Sequence, residues 1–239
     1  MSDLIDATRN ETAKTLTLIR EKYRRIKDYE KVEIGLLQRQ YAIIRRATDC
    51  GKDDAPKIHK ALWQGKEVEK GEKLQFLCEH FEAARLNFIE HKKPHIREIE
   101  KLIKKLPVWE WAKSVRGCGP YILGQLLAET GNLSDYANPA KVWKRMGLAV
   151  INGERQRKCL DREKAIIHGY CPRRRSIMWN LGKCLIRSND QHFRRIYDER
   201  KEYEEGKAPE KSKAAWDIRA QRYMEKAFLR ELWEEWNRV

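Results

Sequence analysis

No stretch of about 18 apolar residues runs anywhere in this chain, and no short apolar core behind a basic start marks a signal peptide, so nothing in it reads as a membrane span or an export signal. The expected location is the cytoplasm, in association with the nucleoid. The six cysteines (Cys50, Cys78, Cys118, Cys159, Cys171 and Cys184) include no C-x-x-C pair and fall at wide, irregular intervals. That argues against a disulfide framework and suits reduced thiols in a cytosol. Cys159, His168, Cys171 and Cys184 are the candidates for a zinc set, but only the step from His168 to Cys171 has ligand-like spacing, and Cys78 and His80 lie on different faces of their helix. No metal and no other cofactor is expected. The first 107 residues also lack the two-residue alternation of strands, which leaves helix as their organising element.

Positive charge is what the chain has in excess. It carries 51 Lys and Arg against 36 Asp and Glu over 239 residues, a formal net charge of +15, with a pI near 9.6. Such a balance suits a polyanionic partner, nucleic acid first, DNA ahead of structured RNA. With 41% hydrophobic and 36% charged residues, the chain can bury one or two small cores beneath a large charged surface. Leu16, Ile19, Tyr23, Ile26, Leu36, Leu37, Tyr41 and Ile44 recur mostly at three- and four-residue steps with Arg and Lys between them, which predicts a helix over 3–47. Its heptads are imperfect: a solvated structural helix is the plain reading, a coiled coil or homodimer contact the sharper one. Turn residues break it at 48–56, a short helix follows at 57–64, and a charged turn spans 65–71. A second stripe runs from Leu74 through Cys78, Phe81 and Phe88, meets a kink or restart at Pro94, and continues through Ile99 and Ile103 to Pro107. Residues 1–107 are therefore read as a helical arm, antiparallel if its long helices pair.

The stretch 116–133, RGCGPYILGQLLAETGNL, interrupts this regularity. Gly117 and Gly119 end a short helix expected over 109–115, and Pro120 is suited to the first position of the next, where its missing N–H costs nothing. The result is a helical hairpin. Amides of Gly117, Gly119 and Tyr121 at the opening of that second helix would favour a phosphate, with Lys113 and Arg116 beside it. Gly124 and Ala128, four apart, would let another helix approach closely. Gly131 ends the helix, a turn covers 134–139, and a basic helix with Lys144 runs to Gly147.

Beyond it, Arg155, Arg157, Lys158, Arg162 and Lys164, then Arg173, Arg174 and Arg175, form a basic track with Tyr170 and Trp179 interleaved. Cations for phosphates and rings for bases are the two ingredients of nucleic-acid contact. The plainer reading makes the arginines a solvated helix start and Trp179 a core residue. One or two helices are expected over 176–203, a turn over 204–212, and a last helix over 214–236 whose aromatics are mostly core, Trp236 excepted as the one at a partner surface.

The pattern GCGPYILGQLLAETGNLSDYANPAKVWKRMGLA (Gly117 to Ala149) resembles the helix-hairpin-helix core of the C-terminal transposase domain of bridge-RNA-guided insertion-sequence transposases, a match that is good over Val115 to Ala149. The resemblance extends more thinly to residue 239, and implies that Arg174, in the basic segment 169–175, would meet nucleic acid. It also implies DNA recombination within a mobile element. Two departures bear on activity. The family's acidic nuclease-like half has no counterpart in the helical residues 1–107, and segment 150–158, where the family places a catalytic serine, holds no Ser, Thr, Cys or Tyr. Ser176 and Tyr170 are the remaining weak nucleophile candidates. The expectation is thus an all-α chain with a helical arm over 1–107, a candidate coiled coil, and a helix-hairpin-helix domain over 108–239. Its expected function is non-catalytic binding of the DNA backbone; the alternative is a compact transposase or recombinase subunit carrying out strand exchange, in one form guided by RNA.

Overall fold

The computed structural model describes residues 2–238, with side chains from Asn10 onward. The fold is all-α: among the described residues a two-stranded hairpin is the only sheet, and no helix is long and apolar enough to cross a membrane. The helices are α1 (Ser2–Thr48), α2 (Ala55–Trp63), α3 (Gly71–Ile103), α4 (Trp109–Ala112), α5 (Pro120–Thr130), α6 (Pro139–Arg145), α7 (Arg162–His168), α8 (Pro172–Arg187), α9 (Gln191–Lys207) and α10 (Lys213–Arg238). Strands β1 (Val150–Ile151) and β2 (Glu154–Arg155) pair antiparallel between α6 and α7. Contacts divide the chain into two compact units, one formed by residues 21–98 and the other by residues 1–20 together with 99–239.

Within 21–98, α1 and α3 run antiparallel, because rising numbers on one meet falling numbers on the other. Lys22 pairs with Glu98, Glu33 with Arg85 and Lys92, and Gln40 donates to Glu82 at 2.9 Å. Ile44, Ala55, Leu62, Leu74 and Cys78 make an apolar cluster where α2 joins them. Beside it lies a buried polar knot. Gln40 Oε1 is 3.0 Å from His59 Nε2, and Glu82 accepts from Arg85 Nε and Nη2 at 2.7 and 2.6 Å. Those arginine hydrogen bonds hold the Glu82 carboxyl below the usual carboxylate range, while burial pulls His59 down. The chain runs through Pro94 without a break in α3.

In the larger unit, α10 is the element against which most others pack. It buries Met224, Phe228, Leu229 and Leu232, and Phe228 meets Trp111 and Phe193 at ring distances of 5.5 and 5.4 Å. Two close helix approaches depend on glycine. A Cβ on Gly124 of α5 would come within 2.3 Å of Ile99, and one on Gly182 of α8 within 2.6 Å of Gln221 of α10. Helix starts follow local chemistry. Pro120, Pro139 and Pro172 occupy first-turn positions, and the Asn138, Asp161 and Asp190 side chains accept backbone N–H groups of α6, α7 and α9.

Several local expectations change. The helix before the glycine hairpin is a single turn, α4, rather than seven residues. The segment 204–207 belongs to α9, since Gly206 has open space and its helix needs no special geometry there. Trp236 is buried, and its indole donates to Asn132 Oδ1 at 2.9 Å, which removes it as a partner-surface residue. Asn152 and Gly153 both take positive φ, the geometry of a two-residue hairpin turn, so VINGER forms the β-hairpin that sequence periodicity does not reveal.

Candidate nucleic-acid interface

The two glycines of the turn before α5 are not equivalent. Gly117 has φ +95°, and a Cβ there would sit 2.7 Å from the Cys184 carbonyl oxygen; Gly119 has φ −70° with open space around it. Only Gly117 therefore requires glycine for its backbone. The turn is pinned to the start of α9: Arg116 N–H donates to Asp190 Oδ2 at 2.9 Å, and Ser188 Oγ donates to the Arg116 carbonyl at 2.7 Å. Asp190 Oδ1 meanwhile accepts from the amides of His192 and Phe193. Outside this anchorage Arg116 and Gly119 are exposed, and exposed Lys113 pairs with Glu110 one turn away. The ladder of α5 opens with Leu123 N–H donating to Gly119 O, so Tyr121, half-buried, sits in the first turn.

At the far end of α5, some 16 Å away for 11 residues at 1.5 Å each, charges gather around a buried acid. Glu129 lies in the apolar run LLAET and is almost fully buried. Arg173 Nε lies 2.6 Å from its Oε1, and Arg174 Nε donates to Oε2 at 3.0 Å. Arg145 Nε donates to the Glu129 carbonyl at 2.9 Å. A buried carboxylate with two guanidiniums has its charge matched and its oxygens approached in fixed directions. Arg174 also faces a shallow concavity of about 480 Å³, lined by Lys141, Lys144 and Arg145 of α6, with Asp135 as the one acid. Tyr136 closes one side, its hydroxyl donating to Thr130 O at 2.8 Å and its pKa pushed up by burial.

The remaining basic residues divide by what they touch. Arg175 turns inward: its Nη1 is 2.9 Å from Glu225 Oε2, and Glu225 is fully buried. Burial pushes the Glu225 carboxyl up to about 7, against the opposing pull of Arg175 and of Gln221, which donates to it at 2.8 Å. Arg155, Arg157 and Lys158 stay exposed on and after β2, Arg157 pairing with Glu154 at 3.1 Å. Their segment is fastened by one side chain. Buried Gln156 donates through Nε2 to Lys144 O at 3.0 Å and to His168 O at 2.5 Å, and its Oε1 accepts from Ala149 N–H at 3.2 Å. His168 Nδ1 in turn faces Arg157 N–H at 3.4 Å, so this histidine orders the loop. Ser176 is exposed on the first turns of α8, and the Tyr170 ring packs over Gly147.

Of the residues singled out from sequence, Lys144, Arg173 and Arg174 are brought to one end of α5, whereas Lys113, Arg116, Gly117, Gly119 and Tyr121 stand at the other. Lys141, Arg145, Glu129 and Gln156 belong to the site without having been singled out. Lys141, Lys144 and Arg145 sit at helical i, i+3, i+4 spacing, which was a usable signal; an acid inside LLAET was another. Gln156 carried none. Among known proteins, the chain matches no family model, no curated protein and no solved structure.

Proposed function

We propose that the chain is a non-catalytic nucleic-acid-binding protein that holds the phosphate backbone, with DNA as its first ligand. One observation carries this reading: Lys141, Lys144, Arg145 and Arg174, from two helices, face a single concavity against one acid. Arg174 is held there by Glu129 rather than by solvent, so less side-chain freedom is lost when a phosphate arrives. The net charge of +15 supports the same partner class. On this reading the turn at Gly117 and Gly119, with Arg116 beside it, is a second backbone contact, and the relation to transposase C-terminal domains is one of a retained binding module. Contacts of this kind position a backbone and do not read sequence.

The test is a salt titration of duplex binding between about 50 and about 200 mM salt. The affinity should fall steeply, and Lys141→Ala/Lys144→Ala should reduce the log–log slope by roughly 2. An affinity indifferent to salt would overturn the proposal. A covalent protein–DNA adduct on a suicide substrate, lost in Ser176→Ala or Tyr170→Phe, would instead make the chain a recombinase.

A further inference from the structure

A second concavity, of about 580 Å³, lies between α6, α9 and α10, and none of the basic residues discussed so far lines it. Each helix contributes one aromatic ring: Trp143, Tyr203 and Tyr223. Rings of this size normally complete a core or meet a ligand, yet Tyr203 and Tyr223 leave 51% and 49% of their surface exposed. The rings are positioned by specific contacts. The Trp143 indole donates to the Lys226 carbonyl at 3.0 Å. The Arg200 guanidinium, held by Glu204, stands 4.6 Å from the Tyr203 ring centre and 4.7 Å from that of Tyr223, so one cation fixes both.

Arg200, Lys226 and Arg230 line the cleft beside one acid, Glu199. Arg200 is already paired with Glu204, and Arg230 stands 3.9 Å from Glu231 and from Glu234. Lys226 is the informative member. It is half-buried, its ammonium stands 5.1 Å over the Trp143 ring, and no carboxylate among the described residues forms an ion pair with it. Burial, reinforced by Arg222, pulls its pKa down. An ammonium that has lost much of its water and gained only a ring has the most to gain from an incoming anion.

We propose that this cleft takes an unpaired nucleotide of a single-stranded segment, its base stacked on Tyr203 and Tyr223 and its phosphate against Lys226 and Arg230. The chemistry selects this ligand. Ring faces accept any base that has left its stack, whereas bases inside a duplex keep their faces covered by their neighbours. Lys226, the lining cation without a carboxylate partner among the described residues, favours a phosphate and disfavours a cationic peptide side chain, the other common guest of an aromatic cleft. The assignment rests on the reading of the chain as a nucleic-acid binder and adds to it: duplex backbone on the α6–α8 concavity, unpaired bases on the α6–α9–α10 cleft.

The test uses the full chain and fluorescence anisotropy with three probes: an oligothymidylate and an oligouridylate of about 12 nucleotides, and a blunt duplex. Tyr203→Ala/Tyr223→Ala should weaken single-strand binding by about tenfold or more and leave duplex affinity within about twofold; the two single-stranded probes tell DNA from RNA. Because both tyrosines are half-exposed and lie outside the Phe193–Phe228 core, an unchanged melting temperature is expected to accompany the loss. Photocrosslinking of a 5-iodouracil oligonucleotide should label peptides carrying Trp143, Tyr203 or Tyr223. No loss, or equal loss on all probes, or crosslinks confined to the α6–α8 concavity, would overturn the cleft assignment while leaving duplex binding standing. A wild-type chain that binds none of the probes would overturn both.

Discussion

Arg173, Arg174 and Arg175 are consecutive and equally basic, and their surroundings give them different work. Arg175 faces the fully buried Glu225, so Arg175→Ala should cost about 3 kcal/mol by leaving that carboxylate without its cation, whereas Arg155→Ala, at an exposed position, should stay within about 0.5 kcal/mol; urea unfolding at pH 8 measures both. Glu225 also sets a pH signature. Its folded pKa, raised by burial to about 7 from 4.5, means that the folded state holds a proton which the unfolded state releases earlier. The stability it contributes is therefore complete below about pH 4.5 and is lost as pH rises through about 7. Relative to Glu225→Gln, the wild type should lose on the order of 1–3 kcal/mol between about pH 5 and pH 8, and a constant difference across that range would contradict the assignment. None of this was legible in RRR. Local charge patterns reveal neighbours one helical turn apart, but Glu129 and Glu225 lie more than 40 residues away, and only the packing of α5 and α10 against α8 brings them in.

At the scale of elements, more could be read in advance. Prolines at helix starts and glycines at helix ends placed α5 and α6 to within a few residues, because these signals act on the backbone where they stand, and apolar periodicity placed α10. The glycine turn before α5 was legible as a break but not in its detail. Since only Gly117 has positive φ and meets the Cys184 carbonyl, Gly117→Ala should destabilise by about 1–3 kcal/mol, while Gly119→Ala should cost less than about 1 kcal/mol. Thermal melting of the two variants decides between them, and equal costs would contradict the geometry. Gly119→Glu is for the same reason a clean probe of the turn: it should fold, and it should weaken duplex binding if the turn holds a phosphate. The β-hairpin is not legible in the periodicity because two-residue strands show no period; its one sign in the sequence is the Asn-Gly pair itself.

For the whole molecule, charge is distributed unevenly between the two units. Residues 21–98 carry 18 Lys and Arg against 14 Asp and Glu, a surplus of four, while the rest of the chain carries 33 against 22, a surplus of 11. Charge reversal in the first unit, as in Lys66→Glu/Lys73→Glu, should therefore leave duplex affinity within about twofold, whereas Lys141→Glu/Lys144→Glu should lower it by an order of magnitude or more; equal losses would mean that binding follows net charge rather than the α6–α8 concavity. Composition announced the surplus, and folding decided where it sits. Gln156 gives that placement a time dimension. Its single amide ties the strand carrying Arg155 to the end of α6 carrying Lys144 and to the end of α7, so under the proposed function these cations would meet a backbone as one connected group. Association, steered by charge alone, should proceed at the same rate in Gln156→Ala, because no charge is removed. Dissociation should quicken, since cations on a loosened loop can let go one at a time, and stopped-flow measurement of the two rate constants would show the lifetime of the complex, rather than the ease of forming it, to depend on an uncharged side chain.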